Sequence, residues 1–296
     1  MPYPRELPAW LAGWIERHQF MSKSSAHLLV LAALAILAFA GNSLLARAAL
    51  AQGAIEAGAF SAIRLASGAL VLLPFLGKRP SSADLPGAIA LAVYVAGFSL
   101  AYLSLDAGSG ALILFACVQA TILTIGFARG EALSVAGWLG LALALGGLAA
   151  LLSPGTQPIA LGPAGLMAIA GIAWGVYTVI GRGTFDPTGS TARNFLIASI
   201  LVAPMLVIDN AMPSPEGVAF AAITGALTSG LGYVVWYKVA PQLGLGTVAS
   251  VQLATPVVAA IGGVVLLSEP IGWRLIVGGV MILSGIMLTL KKPKAA

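Results

Sequence analysis

Short turn segments cut this sequence into about ten apolar runs, near residues 28–46, 57–76, 85–105, 107–128, 133–152, 162–181, 194–208, 217–237, 243–267 and 271–290. A bilayer core takes about 20 apolar residues per helix, so runs of this length in this number describe membrane spans. Composition agrees: 59% of the residues are hydrophobic, 8% are charged and the mean hydropathy is +0.99. A soluble chain of 296 residues could not cover its surface with so few charges. The predicted fold is therefore an all-α membrane protein with ten transmembrane helices. The separators are turn chemistry, among them Gly77-Lys78-Arg79-Pro80, Phe185-Asp186-Pro187 and Ser268-Glu269-Pro270.

The few cations set an orientation. With the N-terminus inside, the cytoplasmic side collects Arg5, Arg17, Lys23, Lys78, Arg79, Arg129, Arg182, Arg193, Lys238, Lys291, Lys292 and Lys294, leaving Arg47 and Arg274 outside. Both termini are then cytoplasmic, which requires an even span count. Ahead of the first span, Trp10, Leu11, Trp14 and Ile15 have helical spacing that suits a short interfacial helix or, equally, a frayed tail. Ala38-Phe39-Ala40 resembles a signal-peptidase site, but the apolar run continues past Gly41 and no cleavage is expected.

The chain is also duplicated. Residues 131–152 lie over 269–290 without gaps, pairing Glu131 with Glu269, Gly140 with Gly278, Gly147 with Gly285 and Leu152 with Leu290. Tyr102 corresponds to Tyr237, Gln119 to Gln252 and Gly41 to Gly175, while the stretch from Arg64 to Pro74 echoes that from Arg193 to Pro204. Five helices per copy force the second copy into the membrane upside down, so the expected arrangement is two inverted five-helix repeats. The organisation read from this is a segment 1–27, a first repeat 28–153, a second repeat 162–290 and a basic tail 291–296. Glu131 and Glu269 are expected to open the last helix of each half, where a carboxylate suits the helix dipole and Pro270 suits the first turn.

The five-plus-five duplication, the Ala173-Trp174-Gly175-Val176-Tyr177 segment, and a Glu opening each half's last helix ahead of spaced glycines together resemble the EamA-type transporters of the drug/metabolite transporter superfamily. The likeness runs from about residue 28 to 290. One departure is visible: Phe39-Ala40-Gly41-Asn42 lacks a Trp to match Trp174. The resemblance implies a multi-pass protein of the bacterial inner membrane that exports small metabolites. The YddG-like amino-acid exporters are the nearest subgroup in character, which points to amino acids, aromatic and hydrophobic ones included. An exporter of drugs or aromatic cations is the alternative within the same fold, and a non-transporting membrane subunit or an intramembrane enzyme is the alternative from another class.

Polar and aromatic groups at membrane depth are costly unless they pair or line a wet cavity, so they nominate the substrate site. Tyr94, Phe98 and Tyr102 recur at intervals of four on one face of the third span; the eighth offers Tyr233, Trp236 and Tyr237. Asn42, Gln119, Trp174, Tyr177 and Gln252 add amide, hydroxyl and indole groups. Tyr102, Trp236 and Tyr237 also suit interfacial anchors, and the glutamines suit bonds across helices. Arg64 lies inside the second span, where its long stem is expected to snorkel to the headgroups unless Glu56 or a substrate carboxylate pairs with it.

Other functions are disfavoured by what the spans lack. No His, and no Asp or Glu pair, sits at membrane depth to run hydrolysis or a proton relay, no Gly-x4-Gly-Lys loop serves ATP, and no His/Cys cluster suits a metal. The expectation is a carrier driven by its substrate's gradient, needing no cofactor, bound to lipid and not to nucleic acid, working as a monomer or dimer.

Overall fold

The computed structural model describes residues 9–129, 134–152, 159–182, 184–239, 252 and 254–289. Those residues form ten helices and no strand: α1 Ala9–Ala51, α2 Ala57–Leu72, α3 Leu85–Tyr102, α4 Ala107–Ala128, α5 Val135–Leu151, α6 Leu161–Arg182, α7 Pro187–Val202, α8 Pro215–Val239, α9 Ala254–Leu267 and α10 Trp273–Thr289. Seven of them, some with their short 3-10 extensions, are long and apolar enough to cross a membrane. α5, α9 and α10 are apolar but shorter, at 17, 14 and 17 residues.

Helix starts follow local chemistry. Ser134, Asp186 and Ser214 each accept the backbone N–H three residues on, opening α5, α7 and α8. Ser81 and Asp84 form a capping box ahead of α3. Asp186 with Pro187 starts α7 seven residues before the apolar run at 194, because the polar first turn is held by its cap. Residues 9–51 form one uninterrupted helix where a separate interfacial helix was one expectation. Gly53, at φ +69°, supplies the left-handed residue in the turn between α1 and α2.

Packing places the site. The principal neighbours are α3 with α6, α4 with α6, α1 with α8, α1 with α9, α2 with α7, α2 with α8, α3 with α7, α4 with α9 and α5 with α10. Two of these pairs are antiparallel by their contacts. Gly58 abuts Met205 while Gly68 abuts Phe195, on α2 and the chain of α7. Likewise Gly147 faces Gly278 and Gly140 faces Gly285, so α5 and α10 cross with backbones nearly touching. Apolar side chains such as Val135, Leu139, Val265 and Leu266 are exposed on this flank, as lipid-facing residues are.

The candidate substrate site

Eight of the eleven nominated residues come together, and Tyr237 of α8 lies beside Gly181 of α6. Tyr94, Phe98 and Tyr102 stack in succession along α3, with ring centroids 5.4 and 4.7 Å apart. Trp174 from α6 lies 4.9 Å from Tyr94, 5.3 Å from Tyr177 and 5.0 Å from Tyr233 of α8. Phe39 of α1 meets Tyr233 at 5.9 Å and Trp236 at 5.7 Å, and Phe195 of α7 meets Tyr233 at 5.8 Å. Five helices thus build one aromatic cluster, buried except for half-buried Trp174. Tyr102 and Trp236 are buried within it.

Polar groups cross its edge. Asn42 accepts from Thr228 Oγ1 at 2.7 Å and Ser229 Oγ at 3.0 Å, tying α1 to α8. Ser61 donates to Ser99 at 2.9 Å between α2 and α3, and Tyr177 donates to Thr191 at 3.3 Å. Gln119 and Gln252 are half-buried.

Arg64 does not snorkel. It is 1% exposed, donates from Nε to Ser229 Oγ at 3.2 Å and from Nη2 to the Tyr94 hydroxyl at 3.1 Å, and sits 5.3 and 4.8 Å from the ring centres of Tyr94 and Phe98. Two features hold it there. Residues Thr224–Leu231 of α8 form a π-helical stretch, and Gly225 within it lets that backbone press on α2, where any Cβ would strike the Arg64 carbonyl. Sequence reading passed over Thr228 and Ser229; their signal was a run of small polar residues and glycines, 224–230, in an otherwise apolar span.

Ion clusters mark the two ends of α3, about 27 Å apart at 1.5 Å per residue over its 18 residues. At one end Arg47 pairs with Asp106 at 3.2 Å and Glu269 at 3.1 Å and donates to the Tyr102 carbonyl. At the other, Arg193 pairs with Asp84 at 2.9 Å and Asp186 at 3.6 Å and donates to the Leu76 carbonyl. Glu269 does not open its own helix, which begins at Trp273 beyond Pro270. It accepts the Ala107 N–H with both oxygens, at 3.0 and 2.9 Å, and so caps α4. Ser268, at φ +55°, turns the chain to aim it there. Glu131 lies outside the described residues.

A separate groove of about 310 Å³ opens between α4, α9 and α10, lined by residues such as Leu112, Pro256, Ile261 and Leu283. It shares no residue with the aromatic cluster and its wall is apolar, which suits an acyl chain better than a polar metabolite.

Comparison with known proteins gives a consistent picture. The model of the EamA-like transporter family matches residues 163–291. An uncharacterized protein of Pseudomonas aeruginosa is 49% identical over 269 residues, covering 88% of this chain and 94% of the relative. An uncharacterized transporter of Archaeoglobus fulgidus is 26% identical over 243 residues, covering 77% of this chain and 86% of its own. A solved crystal structure shares the fold with a TM-score of 0.64 at 20% identity, over 89% of this chain and 96% of that one.

Proposed function

The chain belongs to the EamA-like transporter family, and from that premise we propose that it exports small metabolites, amino acids foremost and aromatic or hydrophobic ones among them. The observation that carries this reading is the aromatic cluster: five helices from both halves of the chain converge on rings, one amide and one guanidinium, the composition of a small-molecule site.

Alternating access is the mechanism this reading assigns. The helix pairs support an inverted repeat: exchanging α1–α5 for α6–α10 turns α3 with α6 into α8 with α1, α4 with α6 into α9 with α1, and α2 with α8 into α7 with α3, each an observed neighbour pair. Helices that occupy equivalent places, α2 with α7 and α5 with α10, are antiparallel, as inversion requires. The family match over 163–291 also falls on the second repeat read from the sequence. On this mechanism the Arg47 and Arg193 clusters close the two ends of the path and break in turn. The protein would sit in the bacterial inner membrane with both termini cytoplasmic.

Reconstitution into liposomes preloaded with labelled phenylalanine tests the proposal. Efflux should exceed that of protein-free vesicles, and Trp174→Ala should lower it about tenfold while the protein still inserts, since three ring contacts are lost. Absence of flux for every amino acid tried, and for aromatic cations, would sink the carrier reading.

A further inference from the structure

Arg64 brings a full positive charge into an apolar bundle, and the described residues leave that charge unbalanced. A guanidinium stays protonated at any physiological pH, so burial cannot neutralise it. Taking an ion out of water costs several kcal/mol unless a counter-ion and complete hydrogen bonding offset the loss. Asp84, Asp106, Asp186 and Glu269 pair with Arg47 or Arg193, and no carboxylate among the described residues pairs with Arg64. Its partners are neutral, the Ser229 and Tyr94 hydroxyls and the faces of Tyr94 and Phe98. One amino group, Nη1, is buried with no acceptor among the described residues.

The geometry points to Arg64 as the carboxylate anchor of the substrate site, with Nη1 its open donor and the rings of Tyr94, Phe98 and Trp174 receiving the apolar part of the same molecule. The inference rests on the transporter reading above and narrows it to a substrate class: small organic monoanions or zwitterions that present a carboxylate beside an apolar or aromatic body. Charge decides among the alternatives. A single cation balances a carboxylate, whereas a phosphate ester would bring nearly two negative charges to one guanidinium and neutral hydroxyls. An organic cation would meet a like charge in a low dielectric. The π-helical stretch contributes directly: it sets Ser229 against Nε, and Tyr94 takes Nη2, so the remaining donor is the one left for a guest. Stretches of this kind recur at functional sites because they redirect side chains at a cost to the helix.

The test uses the full chain purified in detergent and follows tryptophan fluorescence through thermal unfolding. Phenylalanine and 3-phenylpropionate are compared with phenylalaninamide, 3-phenylpropionamide and phenethylamine. The carboxylates should raise the melting temperature at concentrations about tenfold or more below those the amides need. Arg64→Gln should erase that preference and Arg64→Lys should retain part of it. Amides binding as well as carboxylates, phenethylamine binding best, or no ligand binding would overturn the anchor. The comparison within the native protein needs no variant, so a misfolded Arg64→Gln does not weaken it. Carboxylate-selective binding without flux in liposomes would defeat the carrier reading and leave the anchor standing. Equal flux of phenylalanine and its amide would do the reverse.

Discussion

Glu269 sits in the turn between α9 and α10, yet its oxygens serve α4 and Arg47. Burial pushes its carboxyl above the ordinary value of 4.5 and the neighbouring Asp106 charge adds to that, while the Ala107 N–H and Arg47 pull the other way without cancelling it. A carboxyl with a raised value binds its proton more tightly folded than unfolded. Its stabilising contribution is therefore complete below 4.5 and is lost as pH rises through the raised value. Glu269→Gln does not titrate. The melting temperature of the native protein minus that of the variant should accordingly fall as pH is raised from about 4 through that window. A difference that stays constant, or grows, would contradict the assignment.

At the scale of elements, the antiparallel α5 and α10 approach at glycines whose correspondence was visible in the sequence as Gly140 with Gly278 and Gly147 with Gly285. Their role in contact was not: the structure sets Gly147 against Gly278 and Gly140 against Gly285. A Cβ on Gly147 would lie 2.8 Å from the Gly278 carbonyl oxygen and 2.7 Å from the Met281 Cβ, positions that cannot give without parting the helices. The adjacent Gly146 would meet only the flexible end of Met281, at 3.4 Å. Gly147→Ala should therefore destabilise the protein by about 1–3 kcal/mol, the usual cost of overpacking. Gly146→Ala should be neutral or slightly stabilising through helix propensity. Thermal unfolding of both variants in detergent checks the pair; equal behaviour would refute the close crossing.

Across the whole molecule, the inverted-repeat reading places the α1–α2 turn and the α6–α7 turn on opposite faces of the membrane. Gln52 and Phe185 are exposed in these two turns. With the single cysteine removed as Cys117→Ser, an impermeant maleimide should label Gln52→Cys in intact cells and Phe185→Cys only after the membrane is permeabilised. Labelling from the same side would break the inversion and with it the alternating-access mechanism. The ion clusters at the two ends of α3 belong to this scale as well, since each joins helices from both halves of the chain.

The sequence by itself determined the solvent, the helical class, the ten helices and most of the ring positions. Hydropathy and turn chemistry are properties of neighbouring residues, and the interval of four between Tyr94, Phe98 and Tyr102 fixes a common face before any partner is known. Only the tertiary structure decided that Arg64 stays buried and that Glu269 caps a distant helix. Whether a long cationic stem reaches the headgroups or turns inward depends on which helix lies across from it. The π-helical stretch of α8, pressed on α2 through Gly225, supplies that answer from more than 150 residues away in the chain.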